Sequence, residues 1–145
     1  MKKIHTDGAC RGNPGPGGWA WACGTASFAS GAEAHTTNQR MEVRAVIEAL
    51  RENVDGPVEI ISDSSYVVKC FNDKWHAGWL RRGWKNSQGQ AVANRDLWEE
   101  LFAMTLASGR EVTFSWVKGH SGDAMNDFVD ELAANAADVQ RGRRS

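Results

Sequence analysis

The sequence predicts an α/β domain, a mixed sheet covered by helices. Three observations lead there. The chain has 145 residues and is 41% hydrophobic, enough for one core without disulfides or metals to staple it. Strand and turn patterns fill the chain to about residue 35. Beyond that point helical and strand patterns alternate, which is the signature of a sheet with helices packed on it.

Ile4 to Thr6 reads as the end of a short strand, stopped by Asp7-Gly8. Arg11-Gly12-Asn13-Pro14-Gly15-Pro16-Gly17-Gly18 is a dense turn signal. Trp19 to Cys23 resumes a strand and Ser27 to Ser30 continues it, as in a hairpin or meander. Thr36 and Gln39 stand at capping-box spacing and predict a helix to about Asn53, before Asp55-Gly56-Pro57. Val58 to Ser62 is a short apolar run, read as a buried strand that stops at Asp63. Ser64 opens a short helix carrying Tyr66, Val67, Val68 and Phe71.

Asp73 to Ala93 reads as irregular, basic and aromatic. Asn94 predicts the cap of a helix containing Leu97, Trp98, Leu101 and Phe102. Glu111 to Val117 is a strand, Gly119-His120-Ser121-Gly122 a loop, and Ala124 to about Val139 a helix. Residues 1–140 therefore form one domain, and 141–145, with Arg141, Arg143 and Arg144, a basic frayed tail.

Composition excludes several classes. No apolar run is long enough to span a bilayer, and Met1 to Asp7 has no signal-peptide core, so a cytoplasmic protein is the expectation. Cys10, Cys23 and Cys70 are odd in number and form no C-x-x-C, which favours free thiols over a structural zinc site. Net charge is −1, yet from Lys74 to Arg95 the chain carries Lys74, Arg81, Arg82, Lys85 and Arg95 and no acid. Local segregation of this kind can bind a polyanion.

The acids stand in unexpected places. Glu42 shares a helix face with Ala45, Val46 and Ala49, and Asp130 shares one with Ala133, Ala134 and Ala137. A carboxylate on an apolar stripe needs a partner, either an arginine or a metal ion. Asp7 and Asp63 each end a predicted strand, where ligands of open α/β sheets bind, although Asp63 could equally cap the following helix. If the four converge, mutual repulsion raises their pKa values. Hard divalent cations relieve that repulsion, and Mg²⁺ is the usual choice beside phosphate.

Asp7-Gly8-Ala9, Gly12-Asn13-Pro14-Gly15, Thr37-Asn38-Gln39-Arg40-Met41-Glu42, Ser62-Asp63-Ser64, Trp116-Val117-Lys118-Gly119-His120-Ser121-Gly122, Asn126 and Asp130-Glu131-Leu132-Ala133 follow one another along nearly the whole chain. Together, in this order, they resemble type 1 ribonuclease H. The resemblance implies a five-stranded mixed sheet flanked by helices, with Asp7, Glu42, Asp63 and Asp130 as the metal-binding catalytic carboxylates. It implies endonucleolytic hydrolysis of the RNA strand of an RNA–DNA hybrid, with two Mg²⁺ ions (Mn²⁺ as the alternative) bound alongside substrate. The products would carry 3′-hydroxyl and 5′-phosphate ends. It also implies that His120, in its Gly-flanked loop, aids water activation or product departure, where a loop histidine by itself is usually just solvated.

The same resemblance places Cys10, Asn13, Asn38 and Gln39 in the minor groove, near the 2′-hydroxyls that distinguish RNA. Cys10 has a plainer alternative, packing under its loop. Thr37 and Asn94 match positions that hold a DNA phosphate. Trp75 to Lys85 matches the basic protrusion that grips the DNA strand, with Trp84 and Lys85 as contacts and Trp75, Trp79 and Trp98 as core. Two departures stand out. Asn86 to Ala91 is uncharged where well-known members carry lysines, and Ser65 stands where the family often has Gln. A catalytically inactive module, or a superfamily nuclease acting on DNA, are the alternatives. The four acids oppose the first, and the Asn38–Gln39 pair opposes the second. A monomer is expected, because the hybrid would occupy one whole face.

Overall fold

The structure, a computed structural model, describes residues 1–145. Its elements are β1 (Lys2–Cys10), β2 (Gly15–Ala22), β3 (Phe28–Thr36), α1 (Asn38–Glu52), β4 (Val58–Ser62), α2 (Ser65–Asn72), α3 (Trp75–Arg81), α4 (Arg95–Thr105), β5 (Val112–Trp116) and α5 (Ala124–Val139). The strands form one five-stranded sheet in the order β3-β2-β1-β4-β5. β1 pairs antiparallel with β2 and parallel with β4; β2–β3 is antiparallel and β4–β5 parallel. This is the mixed sheet that the sequence predicts.

Helices cover both faces unequally. One face carries Ile4, Trp21, Ile60 and Phe114 against the apolar stripe of α1 (Val43, Val46, Ile47, Leu50) and the aromatics of α3 and α4. That cluster holds 19 buried residues. The other face meets α5 through a cluster of 5, Ala20, Ala22, Val129, Leu132 and Ala133. Small residues let α5 lie close to the sheet. A Cβ on Gly18 would overlap the backbone of Ala133 and Ala137.

The structure differs from the sequence expectation in five places. β1 does not stop at Asp7-Gly8 but continues to Cys10, because β2 keeps pairing with it through Cys10↔Gly17. The parallel ladder with β4 does end early, at His5↔Ile61. Thr37, not Thr36, caps α1, its Oγ1 accepting from the Arg40 N–H at 3.2 Å. Thr36 is consumed as the last residue of β3. Asn94 stands at the cap position of α4 in a left-handed conformation, φ 62°, and makes no capping bond. Its side chain turns to Arg40 and Tyr66 instead.

The basic aromatic segment is more ordered than expected. It contains α3, with buried Trp79 at its centre, and a tight turn in which Val92 N–H donates to Trp84 O and Asn86 N–H to Gln90 O. Residues 142–145 are not a frayed tail. They lie along the open edge of β3, with Ser30 N–H donating to Arg143 O at 2.7 Å, Arg143 N–H to Ser30 Oγ at 2.9 Å and Ser145 N–H to Phe28 O at 3.0 Å. Gly142 has no room for a side chain against Ser30. Unpaired strand edges attract any chain with free backbone groups, and here the chain's own end occupies the edge.

Candidate active site

The parallel register builds the site. Lys2↔Val58 through His5↔Ile61 is a constant offset. Carried two residues further, it sets Asp7 level with Asp63, which follows the last residue of β4. Adjacent strands lie about 4.8 Å apart, so the two carboxylates face each other where the ladder has opened. Glu42 arrives from α1. That helix crosses β1 at Gly8, where any Cβ would overlap the backbone of Met41 and Glu42. The absence of a side chain at Gly8 thus brings the helix close enough for Glu42 to reach the gap.

Carboxylate oxygens of Asp7, Glu42 and Asp63 lie within 4.8 Å of one another. Asp130, on α5, lies close enough to raise the Asp7 pKa but is not one of the three whose oxygens meet. None of the four forms an ion pair. The arginine partners that would have made Glu42 or Asp130 purely structural are absent.

The electrostatics follow from this crowding. Asp7 is 5% exposed. Burial pushes its pKa far above the ordinary carboxylate range, and the Asp63 charge and Asp130 push the same way. The Gly8 N–H, 2.9 Å from Asp7 Oδ1, pulls the other way. Burial also raises Glu42, to about 7, against the Ser64 side chain, which lowers it. An all-oxygen set of carboxylates that would rather be neutral is the chemistry that hard divalent cations satisfy.

Supporting side chains hold the cluster. Asn126 is buried and its Nδ2 donates to Asp63 Oδ2 at 3.3 Å. Trp116 Nε1 donates to the Asp63 carbonyl at 3.0 Å. Ser64, not Asp63, caps α2, its Oγ accepting from Val67 N–H at 3.2 Å. The capping role open to Asp63 is therefore taken by its neighbour. A Cβ on Gly119 would sit 3.1 Å from Asp63 Oδ2, so the loop bearing exposed His120 backs directly onto the cluster.

Sequence reasoning gave Asn126 and Ser64 no role at the carboxylates. A signal existed for Asn126: it lies four residues before Asp130 and seven before Ala133, a polar side chain on the same face as a suspect acid. Ser64 gave none, since its nearness to Glu42 depends on two distant segments meeting.

Cys10, Asn13, Asn38 and Gln39 gather at the N-terminus of α1. Asn13 Oδ1 accepts from Asn38 N–H at 2.9 Å, tying the turn after β1 to the helix. The half-buried Cys10 thiol points at the carbonyls of Gly12, Gly15 and Thr36, which favours packing beneath the turn. Gln39 is exposed. Thr37 and Asn94 approach one another through Arg40. Lys85 stands exposed on the turn that follows α3. Trp84 is half-buried. It stacks on Phe102, centroids 5.6 Å apart, with the Arg95 guanidinium 5.0 Å from its ring centroid, so the ring is anchored to the packing. Trp75, Trp79 and Trp98 are packed as expected.

Comparison with known proteins points to one family. The family model described as RNase H matches residues 1–138. The chain is 48% identical to "Ribonuclease H" of Xanthomonas campestris pv. campestris (strain 8004), over 97% of this chain and 94% of the relative. It is 47% identical to "Ribonuclease H" of Erythrobacter litoralis (strain HTCC2594), over 97% of this chain and 99% of the relative. Among solved structures it is similar to LC9-RNase H1, described as a type 1 RNase H with the type 2 active-site motif. There the TM-score is 0.79 and identity 32%, over 100% of this chain and 78% of that one. With the fold, the collinear motifs and the carboxylate cluster in agreement, the chain belongs to the ribonuclease H family.

Proposed function

We propose that this chain is an endonuclease that hydrolyses the RNA strand of RNA–DNA hybrids at the cluster of Asp7, Glu42, Asp63 and Asp130, with Mg²⁺ as the working cation. The observation that carries the reading is the meeting of three carboxylates within 4.8 Å without any cationic side chain. The residues fit a pair of divalent ions. Every donor is a carboxylate oxygen, and the raised pKa values of Asp7 and Glu42 mark a site short of positive charge. Such ions, when bound, neutralise the cluster and stabilise the attacking and leaving oxygens of an in-line phosphodiester displacement.

The chain's own residues do the rest. Asn126 holds Asp63 in place by donating to its carboxylate, and the Ser64 side chain opposes the effect of burial on Glu42. His120, on a loop between Gly119 and Gly122, carries protons to and from the reacting oxygens. Cys10, Asn13, Asn38 and Gln39 line the approach of the minor groove, where the 2′-hydroxyl separates RNA from DNA. Thr37 and Asn94 take a DNA phosphate. Lys85, with Arg81 and Arg82 beside a cleft of about 710 Å³ under α3, grips the DNA backbone. The uncharged turn from Asn86 to Ala91 leaves that grip weaker than a lysine-rich one. LC11-RNase H1 has been solved in complex with an RNA/DNA hybrid; at 23% identity and a TM-score of 0.69 it shares the fold. No helix of this chain is long and apolar enough to cross a membrane. A cytoplasmic monomer that meets hybrids in solution is the matching setting.

The test is a cleavage assay on one hybrid, labelled separately on each strand, with Mg²⁺, with Mn²⁺ and with chelator. Scission confined to the RNA strand and stopped by chelator is expected. Tight hybrid binding without scission would move the chain to a binding module, and scission of DNA to another branch of the superfamily.

A further inference from the structure

We propose that Arg40 is a positioning residue that joins the two arms of the DNA-phosphate site, Thr37 and Asn94, and fixes which atoms they present. It rests on the reading that these two residues hold a DNA phosphate. The arms belong to different helices, Thr37 to the start of α1 and Asn94 to the start of α4. Arg40 bonds both. Its backbone N–H donates to Thr37 Oγ1 at 3.2 Å, and its guanidinium Nη1 donates to Asn94 Oδ1 at 3.4 Å.

The same guanidinium forks onto Asp96, Nη1 to Oδ1 at 3.0 Å and Nη2 to Oδ2 at 2.7 Å. Asp96 lies in the first turn of α4, so the fork pins the N-terminus of one helix to that of the other. A bidentate arginine–carboxylate pair carries orientation as well as attraction.

The consequence concerns hydrogens. A carboxamide has an accepting end and a donating end, and either can face a ligand until something decides. Arg40 occupies the accepting end of Asn94, which leaves Nδ2 as the outward group. One Nδ2 hydrogen goes to Tyr66 Oη at 3.2 Å, and that hydroxyl is itself held by Trp98 Nε1 at 2.9 Å. The second Nδ2 hydrogen has no acceptor in the protein. At Thr37 the hydroxyl oxygen accepts from Arg40, so its hydrogen is free to donate. Both arms therefore offer donors, which is what a phosphate requires. With the amide reversed, Asn94 would present its carbonyl to an anion. Asp96 already balances the Arg40 charge, so Arg40 acts on the phosphate through orientation and not through its own cation.

Arg40→Lys isolates that role. Lysine keeps the charge and the pairing with Asp96 but cannot fork across to Asn94. KM for the hybrid should rise about five- to tenfold, with kcat and the salt dependence of binding unchanged. A second readout uses hybrids in which single DNA phosphates are replaced by neutral methylphosphonates. The wild-type chain should lose affinity at one position, and Arg40→Lys should be indifferent there. Combining Arg40→Lys with Asn94→Ala should add nothing to Asn94→Ala alone. If Arg40→Lys folds poorly, Asp96→Asn loosens the same fork and should raise KM in the same way. A fall in kcat, a shallower salt dependence, or additive effects with Asn94→Ala would overturn the role of Arg40. An unchanged KM for Arg40→Lys beside a raised one for Asn94→Ala would do so too, leaving the phosphate site intact. An unchanged KM for Asn94→Ala would instead sink the phosphate reading itself, and this proposal with it.

Discussion

Asp7, Glu42 and Asp63 are held by the middle of β1, the start of α1 and the residue after β4, crowded together with no cation among them. Arg81, Arg82 and Lys85 stand exposed on and after α3, none of them in an ion pair. One region concentrates negative charge in a rigid, half-buried pocket; the other spreads positive charge over a water-facing segment. On the proposed function, the difference is in what a phosphate meets. At the cluster every group must be placed to within fractions of an ångström, and repulsion is tolerated because an ion is expected to cancel it. Along the protrusion a general positive field suffices, and each cation contributes a small, interchangeable share.

The largest effect that separates the two regions is at Asp63. Asp63→Asn should lower the cleavage rate about a thousandfold or more, since losing several kcal/mol of transition-state stabilisation costs a factor of ten for each 1.4 kcal/mol. The fold should be intact by circular dichroism. A variant retaining more than a tenth of the rate would break the assignment. Loss of both fold and rate would make Asp63 a structural residue.

The next effect is on stability. In the absence of metal, folded Asp7 and Glu42 bind protons more tightly than they do in the unfolded chain. The stability they contribute is therefore present at low pH. It is lost as pH rises, for Glu42 between its ordinary 4.5 and about 7, and for Asp7 over a wider span above its ordinary 3.8. Chelated protein should melt at progressively lower temperature between pH 5 and 8, and millimolar Mg²⁺ should flatten that slope. Equal slopes with and without Mg²⁺ would show that the cluster does not bind the ion.

A smaller effect belongs to the protrusion. Lys85→Ala should raise KM a few-fold with little change in kcat, and should reduce the slope of log affinity against log salt by about 1. If kcat collapses instead, Lys85 lies at the chemistry and the contrast between the two regions fails. The smallest effect lies in neither region. Deleting residues 142–145 should lower the melting temperature by a few degrees through the lost main-chain bonds to β3, with activity at 25 °C preserved.

Much of this was legible in the residues. Glu42 and Asp130 betrayed themselves by sitting on alanine stripes, and the order of patterns gave a mixed sheet. The extent of β1 was not legible, because Asp7-Gly8 carries the local chemistry of a turn while its pairing partner, Ala20-Trp19, lies beyond a glycine-rich loop. The choice between Thr36 and Thr37 was not legible either, since both side chains can cap and the strand's need for Thr36 decided it. Arg141-Gly142-Arg143-Arg144-Ser145 looked like a solvated tail because the β3 edge that receives it is more than a hundred residues away in sequence. Nearness of Asp7 and Asp63, on which the chemistry rests, follows from a register that no local pattern encodes.

The docking of residues 142–145 on β3 also bears on the order in which the molecule can be completed. Arg143 and Ser30 are separated by 113 positions. During synthesis, strand β3 emerges early and its outer row of N–H and C=O groups waits for a partner that has not yet been translated. For that interval the nascent chain carries an open sheet edge, and any extended segment nearby on the same polysome competes for it. Residues 142–145 thus cover the edge late, and a slow or paused ribosome between β3 and residue 142 would lengthen the period in which neighbouring copies can cross-pair.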